Sequence, residues 1–216
     1  MGLDMMLFKV KRVKGLTLKQ ILTTAEYIEY MDNPKSNNCT FKEWCGCDEK
    51  DVDKSKMGQI KELFHEEKIG NDFSYQTILD EVAYWRKANA IHGWFVDHVQ
   101  NGVDDCGDYE VTKEQLEELL ETTNKVLDAS ELVSDQVYNG ETYGDDGWKT
   151  NYIEGKVIKD PKVAMELLPT QRGFFFGGTD YDQWYHGDLL STKEQLEKIL
   201  KETDFENEIV YYSSSW

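Results

Sequence analysis

Two short stretches hold most of the side chains able to do chemistry. The first, EVAYWRKANAIHGWFVDHV from Glu81 to Val99, gathers Trp85, Arg86, His92 and Trp94. An imidazole carries a proton near neutral pH, a guanidinium grips anions, and indoles stack on planar groups. The second, LLPTQRGFFFGGTDYDQWYHGDL, offers Gln171, Arg172, Thr179 and Asp180 around an aromatic run bracketed by glycines. Pro169, Gly173, Gly177 and Gly178 impose sharp turns, so these polar groups are expected at the ends of a short buried strand, GFFFGG. Together the eight residues describe a polar pocket floored by aromatics, suited to a nucleotide signal or another planar ligand.

A hydrolase or transferase would need His92 to work with Asp180 or Glu81. Glu81 and His92 lie about 16 Å apart along one helix, so they cannot act as a direct acid–base pair. The plainer reading makes His92 a satisfied structural residue beside a tryptophan, and the second stretch a hairpin with a helix cap from Thr179 or Asp180. The chain lacks G-x-G-x-x-G, G-x4-G-K-[ST], G-x-S-x-G, H-E-x-x-H and H-x-E…C-x-x-C. No catalytic residue and no cofactor is therefore assigned.

The elements that must position these groups follow from periodicity. MLFKVKRV reads as a strand, and LTLKQILTTAEYIEYM as a helix ended by Asn33 and Pro34. Residues 33–58 read as a polar loop around Phe41 and Trp44 with one short helix. KMGQIKELFHEEKIG reads as an amphipathic helix stopped at Gly70. A helix from about Ile78 to Val99 would bury Tyr84, Trp85, Ala88, Ile91, Phe95 and Val99, with His92 and Glu81 in the same sector and Arg86, Lys87, Asn89 and Asp97 turned away. VTKEQLEELL recurs as STKEQLEKIL eighty residues later, and both copies carry a capping box that predicts helix starts at Thr112 and Thr192. A duplicated unit would leave such an echo, although convergence on a good helix opening explains it more cheaply. YNGETYGDDGWKTNYIEG reads as a hairpin or long ordered loop, and EIVYYSSSW as a strand able to pair with the N-terminal one. The pattern is α+β, several amphipathic helices on a small, mainly antiparallel sheet, in one domain over residues 1–216.

Charge narrows the partners. The 24 basic and 42 acidic residues leave −18, which repels nucleic acid and anionic membrane and favours cationic partners. Residues 101–150 carry 14 Asp and Glu against Lys113, Lys125 and Lys149, a balance of −11. Such a segment is either a solvated face or a docking surface. In the second case Asp104, Asp105, Asp108, Glu110, Asp145 and Asp146 would meet a basic protein site. Asp4 interrupts the apolar opening, Met6 stands where a myristoylation signal has Ser or Thr, and no run approaches the ~20 apolar residues of a membrane span. A cytoplasmic protein is expected. Cys39, Cys45 and Cys47 in CTFKEWCGC, with Cys106 far off, have no paired zinc spacing and no nearby His, so reduced structural thiols and no metal are expected, with a redox role as the minor alternative.

The opening MGLDMMLFK, the stretch EVAYWRKANAIHGWFV, the pieces EWCG and DDCGDYEV, and LLPTQRGFFFGGTDYDQWY resemble a family of small proteins from phages and bacterial genomes whose members begin MGLDMYL. Met6 departs from the tyrosine of that opening. The resemblance carries over no catalytic residue. It implies a phage or prophage accessory protein made in the bacterial host cytoplasm. With −18, the first expectation is a protein that binds and inhibits a host factor, of defence or nucleic-acid handling, through an acidic surface that mimics nucleic acid. Sequestration of a planar ligand and an unrecognised hydrolase or transferase are the alternatives.

Overall fold

The computed structural model describes residues 2–69, 73–144, 146–173 and 175–216. In chain order its elements are β1 (Asp4–Lys11), α1 (Leu18–Asp32), α2 (Phe41–Cys45), α3 (Met57–Lys61), β2 (His65–Ile69), β3 (Phe73–Thr77), β4 (Asp80–Arg86), α4 (Asn89–His98), β5 (Tyr109–Val111), α5 (Lys113–Asp128), β6 (Leu132–Gly144), β7 (Gly147–Ile158), α6 (Lys162–Leu167), α7 (Gln183–Glu202) and β8 (Glu208–Ser215). The fold is α+β. A four-stranded sheet has the order β4-β1-β8-β5, and two antiparallel hairpins, β2-β3 and β6-β7, stand outside it. The C-terminal strand lies beside the N-terminal one, as its β-branched and aromatic content suggests.

The chain divides into two compact units. Residues 1–7, 82–203 and 212–216 form the first, and residues 8–81 and 204–211 the second. In the second, Ile21, Ala25 and Ile28 of α1 bury one face with Val10, Ile60, Ile78, Ile209 and Tyr211. Thr17 caps α1 through a complete capping box, and Asn33 ends it ahead of Pro34. Glu208 is buried there because Lys11 Nζ at 2.5 Å and Lys9 Nζ at 3.4 Å neutralise it. The helix expected from Lys56 to Gly70 stops at Lys61. Beyond it His65–Ile69 pairs with Phe73–Thr77, His65 opposite Thr77, so cross-strand pairing prevails over local helix pattern. Gly70 itself lies outside the described residues.

In the first unit, α5 and α7 pack together. The echo between them is informative. Leu116 and Leu119 of α5 and their counterparts Leu196 and Ile199 of α7 are all buried, so the shared residues make a packing face in both helices. They make a cap in only one. Thr112 Oγ1 accepts from Gln115 N at 3.2 Å and Gln115 Oε1 from Thr112 N at 2.9 Å. Thr192 does not start a helix: α7 opens at Gln183 under Asp182, whose carboxylate accepts from Trp184 N and Tyr185 N. The cap expected of Thr179 or Asp180 therefore belongs to Asp182.

Two further expectations are overturned. The segment from Ile78 to Val99 is not one helix but β4 followed by α4, because Lys87 takes a left-handed backbone, φ 62°. Ala83 and Trp85 bury alternately along β4, leaving Tyr84 exposed, whereas Asn89 is buried. Nor is GFFFGG a strand. Phe175 at φ 69° and Gly177 at φ 97° break any extended run, and only Phe176 turns inward; Phe174 lies outside the described residues.

Candidate functional site

Strand β4, helix α4 and the loop before α7 bring the two chemistry-bearing stretches together, but not in the arrangement their composition suggests. Trp85 is buried, and its indole Nε1 donates to Thr192 Oγ1 at 2.9 Å; that hydroxyl donates to Asp188 O at 2.7 Å. Trp94 is buried too, with an edge toward Phe95 and a face stacked on His98 at 4.5 Å. Neither indole is available to a ligand. Asn89 ties the loop down. Its amide nitrogen donates to Phe176 O and Gly178 O, and its oxygen accepts from Gln171 N at 2.9 Å. Gln171 then crosses α4 at Gly93, where a β-carbon would stand 2.7 Å from the Gln171 Cγ. Gln171 is thus a packing residue. Arg172 is exposed, and Thr179 offers its carbonyl to the Thr170 hydroxyl.

His92 is 1% exposed and fully partnered. Its Nδ1 lies 2.7 Å from the hydroxyl of Tyr212, itself 0% exposed, and its Nε2 lies 3.0 Å from Asp104 Oδ1. One neutral tautomer satisfies all three groups: the Tyr212 hydroxyl donates to Nδ1, and Nε2–H donates to the carboxylate. Burial pushes the imidazole down from its ordinary range, while the Asp104 carboxylate pulls the other way. Phe176 meets the ring edge-on at 5.3 Å, and Phe95 stacks on Tyr212 at 4.1 Å. The Tyr–His–Asp order looks like a proton relay, but its terminal hydroxyl is sealed in the core. It is a structural network.

The acidic candidates face solvent with unequal freedom. Asp104 is held by His92. Asp105 accepts from Gly107 N and the Tyr109 hydroxyl, and its backbone carbonyl accepts from Gln100 Nε2 and Ser214 Oγ. These two carboxylates shape the loop between α4 and β5. Asp108, Glu110 and Asp146 are exposed, but Glu110 is partnered, Asp108 bonds Ser213 and Asp146 pairs with Lys149 at 3.1 Å; Asp145 lies outside the described residues. Helix α5 adds a stripe the candidate set omitted: Glu114, Glu117, Glu118 and Glu121 all face water, opposite Leu116, Leu119 and Val126.

A cavity of about 340 Å³ does exist in this unit. Of the eight candidate ligand residues, Arg86 and Asp180 line it. Lys87, the uncapped start of α4, Tyr138, Asp182, Trp184 and Asp188 complete much of the wall. Asp188 is pushed up to about 6, first by burial and then by the neighbouring Asp182. Trp184 and Tyr138 keep 61% and 41% of their surface in water, so they are the rings a ligand would meet. Sequence reasoning missed them because Trp184 sits in a helix first turn and Tyr138 in a hairpin far away in sequence. Arg86 also pairs with Asp4, which accepts from the Tyr84 hydroxyl. Glu81 is exposed on β4, and His92 does not line the cavity, so no His–carboxylate catalytic pair forms there. Among the described residues, no group of three or more His, Cys, Asp or Glu is placed to hold a metal ion, and no helix is long and apolar enough to cross a membrane.

The chain matches no family model, no curated protein and no solved structure.

Proposed function

We propose that the protein is a phage-type accessory protein that docks through its acidic surface on a basic host protein, in the bacterial cytoplasm, and blocks a site that otherwise handles nucleic acid. The observation that carries this reading is the disposition of its charge. Asp108, Glu110, Asp146 and the α5 glutamates face solvent, while Trp85, His92 and Trp94, the core of the competing ligand site, are buried and partnered. Dense surface carboxylates imitate a phosphate array and speed encounter with a cationic patch. The test is capture from host lysate followed by binding kinetics with Glu114→Gln, Glu117→Gln, Glu118→Gln and Glu121→Gln combined. These exposed acids are chosen because Asp104 and Asp105 also shape their loop. Slower association with little change in dissociation supports docking. Unchanged association rejects it.

The cavity favours a second reading, sequestration of a small planar ligand bearing negative charge, gripped by Arg86 and Lys87 and stacked on Trp184 or Tyr138. Native mass measurement of purified protein would then show a carried-over mass that Arg86→Ala with Trp184→Ala removes.

A further inference from the structure

The β6-β7 hairpin carries an aromatic face that its own unit leaves largely in water, although Tyr138 at its inner end also lines the cavity. Residues opposite one another in an antiparallel pair share a face, and Tyr138 stands opposite Tyr152 and Tyr143 opposite Trp148. The register shift between Tyr138 and Glu141 moves the strand by one residue, so Tyr138 and Tyr143 point to the same side although five positions separate them. Gly140 makes that bulge with φ 83°. On β7, Trp148, Thr150, Tyr152 and Glu154 share the face by simple alternation. Exposures of 41%, 71%, 69% and 59% for Tyr138, Tyr143, Trp148 and Tyr152 show that these rings pay no part in a core. Contiguous aromatics left in water mark interaction sites, and Tyr and Trp dominate binding energies.

Between the ring pairs sits charge. From the tip inward the face reads Tyr143 with Trp148, Glu141 with Thr150, Tyr138 with Tyr152, then Gln136 with Glu154. Both glutamates are exposed, and Lys156, opposite Ser134, follows only one layer beyond. On this face Glu141 and Glu154 outnumber Lys156. Aromatic faces and carboxylates alternating along a ribbon are complementary to guanidinium and ammonium groups, which rings attract through their π-face and carboxylates pair. Layers recur every ~7 Å, the same spacing at which an extended chain presents side chains to one side.

We infer that this face binds an extended arginine- or lysine-bearing segment of a protein partner, with alternate cationic side chains set over the ring pairs and the glutamates. The inference rests on the docking reading and names its contact. The probe is a fluorescein-labelled oligo-arginine peptide, followed by anisotropy at low salt, with oligo-glutamine of equal length as the uncharged control. The expected result is salt-sensitive binding of oligo-arginine alone. It weakens at least about tenfold in Tyr143→Ser/Trp148→Ser and in Tyr138→Ser/Tyr152→Ser and is largely kept in Tyr143→Phe/Trp148→Phe, which retains the ring faces. If both serine pairs bind as the wild type while the α5 glutamine set does not, the hairpin is excluded and acidic docking stands. If the wild type binds no oligo-arginine, the docking reading itself falls. Equal binding of oligo-glutamine, or a wild-type dimer that Tyr143→Ser/Trp148→Ser dissociates, overturns the inference in favour of an uncharged ligand or a second copy of this chain.

Discussion

Removing one buried oxygen tests the reading of His92 as structural. Tyr212→Phe keeps the ring that stacks on Phe95 at 4.1 Å and 11°, so packing changes little. What disappears is the hydroxyl 2.7 Å from His92 Nδ1. With Nε2–H committed to Asp104 at 3.0 Å, the imidazole cannot change tautomer without setting the Nε2 lone pair against the carboxylate oxygen, and Nδ1 is left buried without a donor. Leaving such an acceptor unsatisfied costs about 1–3 kcal/mol. Urea unfolding by far-UV circular dichroism at pH 8 should show that loss as a lower midpoint with an unchanged slope. The wild type should also lose stability in acid. Folded His92 protonates less readily than the unfolded residue at 6.5, so its contribution is complete above that value and falls away as pH drops from 6.5 toward the lowered folded one. A Tyr212→Phe protein as stable as the wild type at pH 8 would refute the network and return His92 to the catalytic candidates.

Thr192→Val should cost about 1–3 kcal/mol, because the Trp85 indole N–H loses its buried acceptor; differential scanning fluorimetry reads it. Asp188 gives the opposite pH sign to His92. Its folded value of about 6 exceeds 3.8, so the folded chain holds a proton through that window and stability from this group is lost as pH rises. Asp188→Asn should therefore raise the melting midpoint at pH 7.5 and leave it nearly unchanged near pH 3.5. Among the thiols, exposed Cys106 should react first with a disulfide reagent at pH 8, and Cys47, pushed up to about 12 chiefly by burial, should react last, as peptide mapping after timed quenching will show.

Legibility in the sequence followed the range of the interaction. Local patterns served well: Phe95 is fully buried, Thr112 caps α5, Asn33 ends α1, and the glycine- and tyrosine-rich stretch is a hairpin. Trp85 and Ile91 are buried as expected, yet for mixed reasons, since one lies on a strand and the other on a helix. A helical period laid over both hid the break at Lys87, because nothing in a lysine announces a left-handed backbone. Asn89 looked solvent-facing on that wheel, and its real work depends on a loop 82 to 89 residues away. The second TKEQ signature misled for another reason: Asp182 had already opened the helix, so Thr192 turned its hydroxyl to Trp85 instead. The same distance effect separates Asp104 from its acidic neighbours. By composition it is one more surface carboxylate, whereas its bond to His92 ties it to the core.

Docking by charge has one kinetic signature that a sealed structural surface does not share. Association between this protein and the partner it captures should be timed by stopped flow from about 0.05 M to about 0.5 M salt, where screening shortens from beyond ~10 Å to a few ångströms. The account predicts an association rate that falls at least about tenfold over that range, with dissociation nearly constant. An association rate indifferent to salt would contradict it.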